Sequence, residues 1–128
     1  KTGEVFKKLN NGLQPLFESN TIDKYKAVFQ MLHYTWLYQQ KNPQDTGKLK
    51  PVIYAVRIMT DPTFNGELQH QKGPYGQEEI ASLIDNFAES LQNTLNEIFD
   101  PSQPFEQTTH PKNCEYCPFN TICAIHET

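Results

Sequence analysis

Helices packed on a small mixed sheet, with a cysteine knuckle at the C-terminal end, form the α/β arrangement that three features of this sequence predict. Apolar residues recur at helical spacing between Gln77 and Phe99. The run PVIYAVRIM is β-branched and aromatic. All three cysteines crowd into the short stretch NCEYCPFNTIC.

Taken in order, the opening KTG reads as the end of a strand running into a Thr2-Gly3 turn. Residues 4–22 carry the breakers Asn10-Asn11-Gly12 and Pro15, which predict a loop with at most one helical turn. TIDKYKAVFQMLHYTWLYQQ predicts a helix from Asp23 to Gln40, capped by Thr21 or Asp23 and stopped by Asn42-Pro43. Apolar residues surround most of it, which predicts a buried helix. NPQDTGKLK is a polar loop. PVIYAVRIM, bounded by Pro51 and Asp61-Pro62, predicts a strand, and FNGELQHQ a second one after an Asn65-Gly66 turn.

From Gln77 to Phe99, Ile80, Leu83, Ile84, Phe87, Leu91, Leu95 and Ile98 fall at three- and four-residue steps. That is a helix of roughly six turns with one apolar face, and Asp100-Pro101 ends it. The Pro-rich linker PSQPFEQTTHP leads into the cysteines. No internal repeat or low-complexity tract is present. The division expected is therefore a core over residues 1–100 and a linker with its cysteine segment over 101–128. Two strands make a thin sheet, and the chain opens in mid-motif, so it reads as the second half of a domain.

The bulk properties narrow the class. A chain of 128 residues suits one domain with a core. With 37% hydrophobic residues and a mean hydropathy of -0.67, it reads as soluble. Net charge is -4 at pH 7 and there is no long basic run, so charge alone does not indicate a nucleic-acid binder. No apolar run reaches the length of a membrane span, and KTGEVFKKLNNG lacks the apolar core of a signal peptide. Clustered cysteines without a signal point to a reducing, cytoplasmic setting and to metal ligation rather than disulfides.

The cysteines are spaced Cys-x2-Cys-x5-Cys, as Cys114, Cys117 and Cys123. A Cys-x2-Cys turn lets two thiolates converge on one metal while backbone amides face the sulfurs. Pro118 stiffens that turn, and Cys123 can swing back from a following helical turn. Three thiolates leave one ligand position open. His110 or His126 can fill it as a Cys3His zinc site, or a fourth cysteine can lie upstream of residue 1. The plain alternative is three ordinary free cysteines.

Other residues invite a function more weakly. Gln30 and Tyr34 are four apart and share a helix face, and a glutamine inside AVFQML needs a reason. Capping a neighbouring loop is the plain one. His33, between Leu32 and Tyr34, reads as a satisfied core histidine. Phe29, Trp36 and Tyr38 read as core on the same helix, and His70 has no evident partner. Lys7 and Lys8 can touch phosphates, although such pairs are mostly just solvated.

Three stretches together resemble PD-(D/E)XK nuclease domains of the RecB and AddB type and related CRISPR-associated exonucleases. CEYCPFNTIC is similar to the segment that closes those domains. The initial KTG is similar to the end of their D-Y-K-T-G pattern, and QMLHY to their helical Gln-x3-Tyr motif. All three occur in the family's order, and together they span the chain.

The resemblance implies the C-terminal part of a restriction-endonuclease-like fold. It implies a Mg²⁺-dependent deoxyribonuclease acting on DNA in repair or recombination, beside a helicase domain or subunit. Lys1 would be the catalytic lysine, with Gln30 and Tyr34 positioning it or the DNA backbone. Cys114, Cys117 and Cys123 would hold three corners of a [4Fe-4S] cluster, with the fourth ligand outside this chain and zinc as the substitute in the chain by itself. The family's acidic metal ligands, expected upstream of and just before Lys1, are missing here, as is its first cysteine. The chain by itself is therefore expected to be inactive. The alternative is a non-catalytic, metal- or iron–sulfur-stapled module that only binds nucleic acid.

Overall fold

The computed structural model describes residues 8–10, 12–56, 58–109 and 113–123. Lys1, Lys7, His110 and His126 lie outside them. The described chain runs from a 3-10 turn (Gln14–Leu16) into helix α1 (Ile22–Lys41) and a second 3-10 turn (Pro43–Asp45). A short hairpin follows, β1 (Gln69–His70) and β2 (Gly73–Pro74), and then helix α2 (Gln77–Ile98). This is the mixed helix-and-sheet class expected, with a sheet thinner still than the sequence suggests.

Helix α1 begins and ends for different reasons. Its start is not capped by a side chain. Thr21 sits at the capping position, but its hydroxyl donates backward to the Pro15 carbonyl at 2.7 Å. That bond ties the helix start to the preceding 3-10 turn instead of to the helix's own amides, so the expected Thr21 or Asp23 cap is corrected. The far end is closed twice by Asn42, whose backbone and side-chain N–H groups both donate to the Tyr38 carbonyl at 2.9 Å. Pro43 has no amide to carry the helix on.

Helix α2 starts on Gly76, whose amide donates to the Glu79 carboxylate at 2.7 Å. That carboxylate also lies at the positive end of the helix dipole. Ile80, Leu83, Ile84 and Phe87 are buried at the steps the sequence predicts. The stripe is then covered less completely: Leu91 is partly buried, and Leu95 and Ile98 are exposed.

The core lies where the two helices and the first turn meet. Phe87 and Leu32 show no exposed surface, and Leu16, Val28 and Leu68 almost none. Phe87 stacks edge-on to Phe29 at 5.2 Å between centroids and tilted against Phe17 at 5.6 Å. Phe29 and Trp36 are half-buried against this core, as expected. His33 also sits half-buried among rings, edge-on to Phe29 and tilted toward Tyr34 and Trp36.

The expected all-round burial of α1 does not hold. Val28, Met31 and Leu32 face the core, whereas Tyr34, Leu37 and Tyr38 face outward. Helix α2 and the first 3-10 turn cover only one side of it.

The predicted strand over PVIYAVRIM is also corrected. Its ladder consists of a single antiparallel bridge, Val52 to Glu67, and the bond from the Ile53 amide to the Gly66 carbonyl at 2.8 Å. At Ala55 the chain turns, with the amides of Ile58 and Met59 both donating to the Ala55 carbonyl. Strand-forming side chains need a ladder partner and a surface to pack on. Tyr54 and Val56 find neither among the described residues and remain nearly four-fifths exposed. The second predicted strand shortens to β1, which pairs with β2 in the register Gln69 to Pro74 and His70 to Gly73. Gly73 closes this tight hairpin at φ 128°, a left-handed backbone that favours glycine. No helix among the described residues is long and apolar enough to cross a membrane.

Because Phe87 has no exposed surface and touches rings from two other segments, Phe87→Ala should cost about 3–5 kcal/mol. Phe99→Ala, at a side chain 79% exposed, should change stability by less than about 0.5 kcal/mol. Urea unfolding of both variants checks the contrast.

Candidate functional site

The outward face of α1 is exposed and forms one wall of a groove. Opposite it runs the extended segment Leu49–Ile53, and the groove between them measures about 540 Å³. Ala27, Gln30, Met31, Tyr34, Thr35 and Tyr38 form the helical wall. Residues four apart on a helix point the same way, so Gln30, Tyr34 and Tyr38 stand in one row along the groove. Both members of the Gln-x3-Tyr pair are exposed, Tyr34 by 66%. The structure therefore brings Gln30 and Tyr34 to one surface and does not use the amide to cap a neighbouring loop.

Tyr38, read from the sequence as core, is instead the third member of the row. Its phenol donates to the Asp45 carboxylate at 3.1 Å. That bond, helped by the negative charge of Asp45, holds the phenol above its ordinary pKa. The proton stays on the tyrosine and its donor is committed, so the groove meets the ring. The signal for Tyr38 was present in the four-residue spacing from Tyr34. It was masked by the apolar residues around it.

The opposite wall is held by few bonds. Beyond the Val52–Glu67 bridge, Gly66 packs so closely beneath Ile53 that a Cβ there would lie 2.4 Å from the Ile53 carbonyl oxygen. Asn65 accepts from the Glu67 amide at 2.8 Å and fixes the turn that delivers Glu67. Lys50 lines the groove and pairs with the Glu67 carboxylate. Among the described residues, no carboxylate lines the groove itself.

The cysteine segment forms two successive turns. The Cys117 amide donates to the Cys114 carbonyl at 3.1 Å, closing the Cys-x2-Cys turn. The Cys123 amide donates to the Phe119 carbonyl at 3.1 Å. The linker braces this unit, because the Gln107 amide donates to the Cys123 carbonyl at 2.9 Å. All three thiols are free; Cys114 and Cys117 are half-buried and Cys123 is exposed. In kind, three free thiols on consecutive turns suit a thiolate-bound iron–sulfur or zinc centre. Among the described residues, however, no group of three His, Cys, Asp or Glu side chains is gathered to hold a metal ion.

A helix wall carrying a glutamine–tyrosine pair, a minimal sheet and a cysteine segment make up an α/β chain. The family model of the PD-(D/E)XK nuclease superfamily matches residues 13–124, and the chain belongs to that superfamily. The matched span takes in Gln30, Tyr34, the groove and all three cysteines, and leaves out Lys1. No curated protein and no solved structure matches the chain.

The Gly66 contact makes the groove wall testable. Gly66→Ala should force the Ile53 strand segment outward and cost about 1–3 kcal/mol, the range for overpacking. Thermal melting should show a lowered Tm. An unchanged Tm would mean that the wall yields without loss.

Proposed function

We propose that this chain is part of a Mg²⁺-dependent deoxyribonuclease of the RecB/AddB type, acting with a helicase domain or subunit in DNA repair or recombination in the cytoplasm. Residues 1–100 would belong to the nuclease core, and residues 101–128 to a linker and cluster-binding segment. The observation that carries this reading is the exposed pair Gln30 and Tyr34, side by side on an apolar groove within the matched span. An amide and a phenol so placed can grip a sugar–phosphate backbone, the amide by donating to a phosphate oxygen and the phenol by donating or stacking.

The chain's own residues then have distinct tasks. Gln30 and Tyr34 hold the backbone in register with the reacting phosphate. Lys1 offsets the negative charge that develops on the phosphoryl oxygens. Mg²⁺ supplies an activated water and charge neutralisation when bound. The described groove lining has no carboxylate to hold it, and its ligands are assigned to the acidic residues that the resemblance places before Lys1. Cys114, Cys117 and Cys123 are assigned to a [4Fe-4S] cluster completed by a ligand outside this chain, which would staple the two ends of the domain.

The carboxylate-free groove also favours a second reading, a module that binds nucleic acid without cutting it. The residues that precede Lys1 in the gene product separate the two. An Asp, Glu or Gln two positions earlier, with another acid further upstream, belongs to the enzyme, and apolar or basic residues belong to the binding module.

The 128-residue chain should not cleave linear DNA with Mg²⁺ or Mn²⁺. In a longer gene product carrying the upstream acids, Lys1→Ala should abolish cleavage. Gln30→Ala and Tyr34→Phe should lower kcat about tenfold or more. Wild-type turnover by Lys1→Ala overturns the assignment of that lysine. Separately, the same product purified without oxygen should contain iron and sulfide, and Cys123→Ser should lose both along with thermal stability. Zinc without iron would replace the cluster but keep the staple.

A further inference from the structure

Among the described residues the groove has one cation on its lining, Lys50, and it is paired with Glu67. Antiparallel geometry explains the pairing. Val52 lies opposite Glu67 in the bridge, and Lys50, two residues earlier, projects to the same side as a diagonal neighbour. The two ends are held unequally. The Glu67 side chain is 24% exposed and its backbone is fixed by Asn65, whereas the Lys50 side chain is 61% exposed on a long, flexible stem. Lys48, the next cation in the chain, donates to the Gln44 carbonyl and does not line the groove.

We infer that Lys50 is the groove's phosphate contact and that Glu67 is the carboxylate it leaves when nucleic acid enters. This rests on the groove being the nucleic-acid face. A partly exposed ion pair contributes little to stability, so breaking it costs little. A lysine on a phosphate gains more, because counterions condensed on the nucleic acid are released. While the pair is made, the hydrogen bond from Lys50 holds the Glu67 carboxyl below its ordinary pKa, and a glutamate without that bond is still charged at pH 7. It therefore remains a competitor for the ammonium. Across the groove, Tyr34 and Tyr38 offer ring surface for sugars or bases, so one phosphate contact faces a row of apolar and aromatic contacts.

The test is fluorescence anisotropy with a labelled twenty-nucleotide single strand and its duplex, from 50 to 200 mM salt, using the full 128-residue chain. Lys50→Ala should weaken binding and lower the slope of log K against log salt by about 0.7 on the single strand and 0.9 on the duplex, one phosphate contact. Lys50→Arg should restore the slope. Glu67→Gln should tighten binding by up to about fivefold, the most that an exposed pair withholds. Lys72→Ala, a charge removed from the hairpin loop, should leave the slope unchanged. If Tyr34→Ala weakens binding while Lys50→Ala moves neither affinity nor slope, the groove reading stands and the Lys50 assignment is wrong. If Glu67→Gln weakens binding as Lys50→Ala does, the pair is a strut and the exchange is overturned. If the wild type binds neither oligonucleotide, or if neither Tyr34→Ala nor Lys50→Ala weakens binding, the groove reading fails and this inference fails with it.

Discussion

The Phe87 ring is the contact on which the rest of this structure depends. It comes from the middle of α2, meets Phe29 from α1 and Phe17 from the segment before α1, and has no exposed surface. Three separate stretches are thereby fixed to one point. Aromatic pairs in edge-on or tilted geometry add to the gain from area burial and define an orientation that aliphatic packing leaves looser. Once α1 is oriented by Phe29, its opposite side is oriented too. The position of Gln30, one residue further along, follows from how Phe87 seats its neighbour.

Little else holds the far wall of the groove. The sheet is two residues wide on each strand, with one additional bridge at Val52. That wall owes its place to the Gly66–Ile53 contact, the Asn65 turn and the Lys50–Glu67 pair. The groove thus has one side built on the helix core and another held by a few hydrogen bonds and by the packing of Ile53 and Leu68 against that core. In proteins generally, regions with few buried apolar contacts open at lower free energy than the core. A surface that must admit a polymer and release it has a use for that asymmetry.

The two helices were legible because a 3.6-residue period leaves a pattern that survives ignorance of the partner. Ile80, Leu83, Ile84 and Phe87 are buried as their spacing predicts. The end of the same stripe is covered less completely: Leu95 and Ile98 keep the period but stay partly exposed beside Ile22 and Phe29. Periodicity reports which side could be buried, not how completely it is covered. The strand over PVIYAVRIM failed for a related reason. Strand propensity describes fitness for a ladder, and the ladder is a long-range fact that the segment itself does not carry. The candidate pair Gln30 and Tyr34 was marked by its spacing and by an amide inside an apolar run, and took its role from resemblance, whereas Lys50 was not legible at all, because its significance comes from the residue opposite it.

Helix α1 shows how this limit can be turned into information. Its sequence is apolar nearly all round, which by itself predicts burial on every side. In the fold it has two distinct faces, one committed to Phe87 and its neighbours, the other to the groove. The second face differs from a core face in kind: Ala27, Gln30, Tyr34 and Tyr38 are small, amide-bearing or phenolic, whereas Val28 and Leu32 are purely aliphatic, with Met31 at the border of the two. A polar group inside an apolar run is costly to bury without a partner and costs nothing beside an open groove. Gln30 therefore marks the face that the core does not claim. The two tyrosines at four-residue steps extend that mark along the helix, because a phenol tolerates both a wet and an apolar side.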